Sequence, residues 1–143
     1  MGSGATQPVQ PVKTNNPVSL DDPADFGTGL SVQLTNIVAV KAVARAPGEI
    51  AGPALKITVE ARNRSAQAIP VDRLVVFVAH GVARTPASNL SQGGRPVTGS
   101  VGAKSSKAGT YVFGVPTDDR KLVRVEVSYS GNSPTVAFEG PVD

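Results

Sequence analysis

The stretch Gly48-Glu-Ile-Ala-Gly-Pro-Ala-Leu-Lys-Ile-Thr-Val-Glu-Ala-Arg-Asn63 decides the fold. After the turn-forming pair Gly52-Pro53, its side chains alternate strictly in period two. The apolar set is Leu55, Ile57, Val59 and Ala61, and the polar set is Lys56, Thr58, Glu60 and Arg62. Because successive side chains of a strand point to opposite faces, this pattern predicts a strand of an antiparallel sheet with one face on a core and the other in water.

Comparable runs recur along the chain, separated by turns rich in the 15 glycines and 12 prolines. The further predicted strands include Leu30–Leu34, Arg73–Ala79, Gly109–Val115, Leu122–Tyr129 and Thr135–Phe138. About seven to eight short strands with this punctuation predict an all-β, immunoglobulin-like antiparallel β-sandwich. The positions expected to point into its core are Ile57, Val59, Val76, Phe113 and Val125.

Two of these runs depart from simple alternation. The first strand changes phase by one residue near Asn36, which indicates either a bulge or a strand that passes from one sheet to the other. The run Leu74–Val78 is apolar on both faces, which indicates either a central strand or a face that another element covers.

Composition excludes several classes of protein. The 143 residues suggest one domain with length left for a tail, and the net charge of +3 is spread over scattered cations. We therefore expect no nucleic-acid partner. With no cysteine, the chain cannot form a disulfide, a thiol nucleophile or a thiolate metal site. No apolar run reaches the roughly 18 residues that a membrane span requires, and no signal peptide is visible at the N-terminus.

Residues 1–27 are predicted to be a disordered, proline-rich arm that precedes a domain spanning residues 28–143. The segment Gln7–Pro17 mixes proline with glutamine, asparagine and threonine, and it has too little apolar surface to offset the entropy of ordering. Met1-Gly2-Ser3-Gly4 looks like a cloning remnant, so an upstream signal or anchor is expected to have been removed.

Four segments together resemble a family of actinobacterial immunoglobulin-like domains of unknown function, and more loosely a small secreted mycobacterial antigen. They are residues 47–54, Val59–Asn63, Gly109–Pro116 and Val125–Tyr129. The resemblance covers about residues 28–140. It implies a sandwich located outside the cytoplasm, secreted or anchored at the cell surface behind a low-complexity linker. It supplies no catalytic residues, because the family has none that are agreed.

The sequence offers few candidates for a chemical site. His80 is the only histidine, and its neighbour Gly81 marks a loop. We therefore predict a solvated histidine whose replacement by alanine leaves fold and binding nearly unchanged. The acidic pair Asp118 and Asp119 is predicted to be a solvated turn rather than a cation site. Lys41 is the best donor for an isopeptide crosslink, but a lysine whose charge stays in water is the simpler explanation.

We therefore predict that the chain has no catalytic, cofactor-binding or metal-binding residues and needs no cofactor. The predicted function is a non-enzymatic, extracytoplasmic immunoglobulin-like binding module on a bacterial envelope or secreted protein. Its partner is expected to be a protein or an envelope polymer, and the domain itself is not expected to insert into a membrane. The alternatives are a purely structural spacer and a small hydrolase.

Overall fold

The computed structural model describes residues 14–43, 47, 51–131 and 133–142, with residues 91–93 described for their backbone alone. The chain forms eleven strands and one 3-10 turn in this part. The strands are β1 (Ala24–Asp25), β2 (Leu30–Ala42), β3 (Gly52–Asn63), β4 (Ile69–Pro70), β5 (Val75–His80), β6 (Thr85–Pro86), β7 (Ser88–Arg95), β8 (Ser100–Val101), β9 (Ser106–Gly114), β10 (Val123–Ser128) and β11 (Val136–Gly140). The 3-10 turn is Thr117–Asp119.

The strands form two main antiparallel sheets that pack face to face. Sheet one has the order β1-β2-β3-β9-β7, sheet two has the order β11-β10-β5-β6, and β4 and β8 form a small separate pair. Strands β2, β3, β5, β9, β10 and β11 correspond to strands A, B, C, E, F and G of an immunoglobulin domain, and β6 with β7 corresponds to strand D, which changes sheets at Ala87. Without β1, sheet one then has the order A-B-E-D, and sheet two contains C, F and G. The predicted immunoglobulin-like sandwich is therefore confirmed. Within the described residues, no helix is long and apolar enough to cross a membrane.

Strand β3 lies between β2 and β9 and carries the centre of the core. Its apolar set is fully buried, whereas Lys56, Thr58 and Glu60 on the other face are half-buried and Arg62 is exposed. The other predicted core positions are buried as well: Val76, Phe113 and Val125. The alternation of apolar and polar residues thus predicts correctly which side chains of β3 are buried, because one face packs against sheet two and the other faces solvent.

The change of phase in β2 is a β-bulge. The pairing of β2 with β3 shifts register between Leu34 and Asn36, and it continues with the same partner strand as far as Ala42. Before the bulge Leu34 points into the core, and after it Ile37 takes that side. A bulge inserts one residue and so restores the apolar face without a change of sheet.

Strand β5 is apolar on both faces, but only one of them is covered. Val76 and Val78 are buried, whereas Val75 is 57% exposed and Phe77 is 44% exposed on the outer face of sheet two. The strand pairs with β10 along its whole length and with β6 at Ala79 and His80 alone. Of the two predicted alternatives, the structure shows the first: β5 is an interior strand between β10 and β6, and no element among the described residues covers its outer face.

The N-terminal segment corrects the predicted domain boundary. Residues 14–27 pack onto the sandwich, with parallel bridges from Thr14 to Thr135 and from Val18 to Phe138, followed by β1 beside β2. The segment therefore joins the edges of the two sheets, and its side chains Leu20, Ala24 and Phe26 are buried in the main core. A fold boundary at residue 28 is too late, because three apolar side chains outweigh the polar composition around them. Residues 1–13 of the predicted arm lie outside the described residues.

Replacing Phe113 with alanine should lower the free energy of unfolding by about 3–5 kcal/mol, because it leaves a cavity between the sheets. Phe77→Ala is the matched control: its ring is partly in water on the outer face, so the loss should stay below about 1 kcal/mol. Denaturant unfolding followed by circular dichroism measures both values. Equal losses would show that the inner and outer faces are assigned wrongly.

Candidate functional site

A cleft of about 460 Å³ opens at one end of the sandwich, between residues of the two main sheets. Its walls come from the beginning of β3, the end of β5, the junction of β6 and β7, and the loop that leaves β9. The lining residues are Ala51, Gly52, Pro53, His80, Pro86, Ser88, Gly114, Val115, Pro116, Thr117 and Asp118. The backbone φ of the three prolines is fixed, which limits the mobility of these walls.

His80 is the deepest titratable group of the cleft. It is the last residue of β5, and the period of two places it on the same inward side as Val76 and Val78. The side chain is only 8% exposed, and its Nδ1 lies 2.8 Å from Oδ2 of Asp119. The predicted solvated histidine is therefore wrong: the strand ends one residue before Gly81 turns, so His80 still belongs to the core face.

Asp119 reaches His80 from the 3-10 turn, which follows Pro116. The backbone N–H of Asp119 donates to the carbonyl of Pro116 at 3.0 Å, and this bond closes the turn from which the partly exposed carboxylate reaches His80. Its neighbour Asp118 remains exposed at the rim of the cleft. The predicted solvated acidic turn thus holds for Asp118, whereas Asp119, with a side chain that is 41% exposed, also makes a pairing with His80 that the sequence did not predict. Because 39 residues separate His80 from Asp119, no local pattern could have paired them.

Arg120 fastens this loop to sheet one. Its Nη2 donates to the carbonyl oxygens of Ala54 at 3.4 Å and Val115 at 3.5 Å, at the ends of β3 and β9. Its Nε is buried without a hydrogen-bond partner among the described residues. The guanidinium therefore holds the 3-10 turn against the strand ends, which keeps Asp119 within reach of His80.

Gly81 leaves room for the carboxylate. Its φ of +78° lies in the left-handed region, and a Cβ at this position would lie 3.1 Å from Oδ2 of Asp119. The N–H of Gly81 also donates to the carbonyl of Leu122 at 2.9 Å. The glycine that seemed to mark only a loop is therefore required twice, for the turn and for the close approach of Asp119.

The arrangement defines what His80 can do chemically. Asp119 accepts the Nδ1 proton and fixes the tautomer, which leaves Nε2 as the acceptor that the ring can offer to a molecule in the cleft. Ser88 lines the same cleft with an exposed side chain, but no hydrogen bond joins it to His80 in the described structure. No group of three histidine, cysteine or acidic side chains suited to a metal ion occurs among the described residues.

A second polar cluster lies on the outer face of sheet two. Arg124 donates to Glu126 at 2.8 Å and to Glu139 at 3.4 Å. The hydrogen bond to Glu126 raises the pKa of Arg124 above its usual range, with the charge of that carboxylate adding to the effect. Its polar groups satisfy one another, and we assign the cluster a structural role. Lys41, the candidate donor for an isopeptide crosslink, is exposed on β2, which agrees with the predicted lysine whose charge stays in water.

Comparison with protein-family models and with curated proteins finds no match. Among solved structures, the chain is similar to the yjhA protein from Bacillus subtilis, with a TM-score of 0.65 and 10% identity over 85% of this chain and 99% of that one. A functionally unknown protein from Listeria monocytogenes EGD-e gives a TM-score of 0.58 and 12% identity over 85% and 82% of the two chains. An uncharacterized β-sandwich protein from Clostridium difficile 630 gives a TM-score of 0.49 and 14% identity over 91% of this chain and 98% of that one.

At these identities the likenesses show the fold alone. Together with the strand order, they define the protein as an antiparallel β-sandwich that shares its architecture with bacterial proteins of unknown function. None of the three structures comes from an actinobacterium, so the actinobacterial resemblance stays a prediction.

Gly81→Ala should destabilise the protein by about 1–3 kcal/mol, because alanine is strained at this φ and its Cβ pushes the Asp119 carboxylate away from His80. The control is Val82→Ala in the same turn, where a side chain that is 92% exposed should contribute within about 0.5 kcal/mol. Thermal and denaturant unfolding give both values. A Gly81→Ala protein as stable as the control would contradict the packing described for Asp119.

Proposed function

We propose that the chain is a non-enzymatic, extracytoplasmic immunoglobulin-like binding module and that the cleft around His80 is its ligand site. The observation that carries the proposal is the pairing of His80 with Asp119 at the base of a preformed cleft. A buried histidine held in one tautomer is a polar anchor within mostly apolar walls, and this combination is typical of ligand sites.

The walls determine which ligands fit best. Pro53, Pro86 and Pro116 lose little conformational freedom when a ligand binds, so the entropic cost of association is small on the protein side. Nε2 of His80 accepts a hydrogen bond, and Asp118 adds negative charge at the rim. The cleft therefore favours a ligand that presents N–H, O–H or cationic groups along a slender chain. An exposed polypeptide segment or an amino-bearing envelope polymer has this chemistry.

A location outside the cytoplasm is part of the proposal. It is supported by the resemblance of residues 47–54 and 109–116 to surface domains of actinobacteria and by the proline-rich composition of residues 1–13. A stable sandwich with no cysteine is also compatible with either redox environment. A spacer would need the same fold but no ligand at the cleft.

The cleft can be tested with a pair of tryptophan variants. Ser88→Trp places an indole in the mouth of the cleft, and Val82→Trp places the same group on the adjacent turn outside it. Each protein is immobilised and exposed to an envelope extract of the producing organism, and retained molecules are compared. We expect the wild type and Val82→Trp to retain the same molecule in similar amounts. Ser88→Trp should retain at least tenfold less of it, because the indole fills the site.

Retention of the same species by all three proteins would place the binding surface elsewhere. Absence of any retained species would favour the spacer. Circular dichroism and thermal unfolding of the variants confirm that the fold is intact before the comparison is made.

A small hydrolase is the second candidate, because an Asp–His pair beside a serine in one cleft contains the residue types of a catalytic triad. The test is turnover of p-nitrophenyl acetate by the wild type, His80→Gln and Ser88→Ala. If the cleft only binds a ligand, none of the three proteins should hydrolyse the ester faster than free imidazole does. A wild-type rate that falls more than about a hundredfold in both variants would instead identify an enzyme.

A further inference from the structure

The outer edge of β2 is open over half of its length. On this side β1 pairs with Ser31 and Val32 alone, whereas residues 36–42 have β3 as their only strand partner among the described residues. The open part begins just after the bulge and runs from Ile37 to Ala42. It therefore offers an unused row of backbone donors and acceptors.

The pairing pattern shows which backbone groups face outward. The N–H of Val115 donates to the carbonyl of Pro53 at 3.2 Å, so the backbone groups of Pro53 point towards β9 and away from β2. Lys41, which is opposite Pro53, therefore forms no ladder bond with β3. Hydrogen-bonded and non-bonded pairs alternate in antiparallel sheets, so the N–H and C=O groups of Ile37, Ala39 and Lys41 all face the open edge.

The side chains along this edge do little to prevent strand addition. Val38 is 42% exposed and Val40 is half-buried on the outer face, next to a small apolar cluster that contains Ala54 and Val112. The segment Asn36–Ala42 has no proline, and its one charged residue is Lys41. Edge strands that stay unpaired usually carry several charges or a proline, or are very short, and these features prevent pairing with another chain. The open part of β2 has only one charge and no proline.

We propose that a second copy of the chain pairs with this edge, antiparallel and centred on Ala39. A two-fold axis at Ala39 opposes Ile37 of one protomer to Lys41 of its partner, and Val38 to Val40. In this register every outward N–H and C=O of the three edge residues finds a partner across the axis. The two five-stranded sheets then become one continuous sheet, and the exposed valines cover each other.

Charge selects this register over its neighbours. Centring the pair on Lys41 would place the two lysines directly opposite each other, which is destabilising. Centring it on Ile37 would extend the pairing into the bulge between Leu34 and Asn36, where the ladder is broken. With Ala39 at the centre, each lysine instead lies beside an isoleucine, and its aliphatic stem packs there while the ammonium group stays in water.

Ala39→Pro tests the proposal without disturbing the protomer. Proline removes the N–H at the axis, and this N–H makes no bond within the protomer, so the fold should persist. Ala39→Thr is the matched control, because it keeps the N–H and favours a strand. Analytical ultracentrifugation between micromolar and millimolar protein should show a dimer for the wild type and for Ala39→Thr, and a monomer at all concentrations for Ala39→Pro.

Amide hydrogen exchange provides a second readout at single residues. In the wild type, the amides of Ile37, Ala39 and Lys41 should become protected as the protein concentration rises, while that of Val38 is protected throughout by β3. A wild type that remains monomeric at millimolar concentration would overturn the proposal, as would a dimer that survives Ala39→Pro while the amides of Ile37 and Lys41 stay unprotected. A folded Ala39→Pro protein is verified by circular dichroism, and its cleft is assayed separately, because the cleft residues do not include Ala39.

Discussion

Burial of the inner face of β3 is the constraint on which the rest of the structure depends. Leu55, Ile57, Val59 and Ala61 are removed from water only because sheet two covers them. Each large apolar side chain contributes about 1.5–3 kcal/mol on full burial. The same contact fixes the separation of the two sheets. His80 is the last inward residue of β5, so it lies at the end of this buried face.

The cleft follows from this geometry. The beginning of β3 and the end of β9 form one wall of the cleft, and the end of β5 with the junction of β6 and β7 forms the other. Pro116 and the 3-10 turn close the gap from one side, and Arg120 holds them against the strand ends. A buried polar side chain at such a position needs a partner, and Asp119 supplies it. Pro53 belongs both to this wall and to the strand pair that supports the open edge of β2, so the proposed ligand site and the proposed dimer interface share one structural element.

Local periodicity is sufficient to predict the sandwich, the core positions and a change of phase near Asn36, because each depends on neighbours in sequence, whereas the choice between a bulge and a change of sheet needed the strand pairing. The site could not be predicted in this way. His80 was placed in solvent on the strength of Gly81, although the alternation Val76, Val78, His80 already pointed inward. Its pairing with Asp119 spans 39 residues and depends on tertiary structure. The N-terminal segment was misjudged for a related reason: average composition hid Leu20 and Phe26, whose burial depends on a gap between two sheet edges.

The central claim is that Asp119 holds His80 in one tautomer and leaves Nε2 available in the cleft. Long-range proton–nitrogen NMR spectra of the single imidazole test it directly at neutral pH, and Asp119→Asn serves as the comparison. The account predicts a protonated Nδ1 with a slowly exchanging proton in the wild type, and loss of that slow exchange in Asp119→Asn. A ring protonated at Nε2, or one whose proton exchanges equally fast in both proteins, would contradict it.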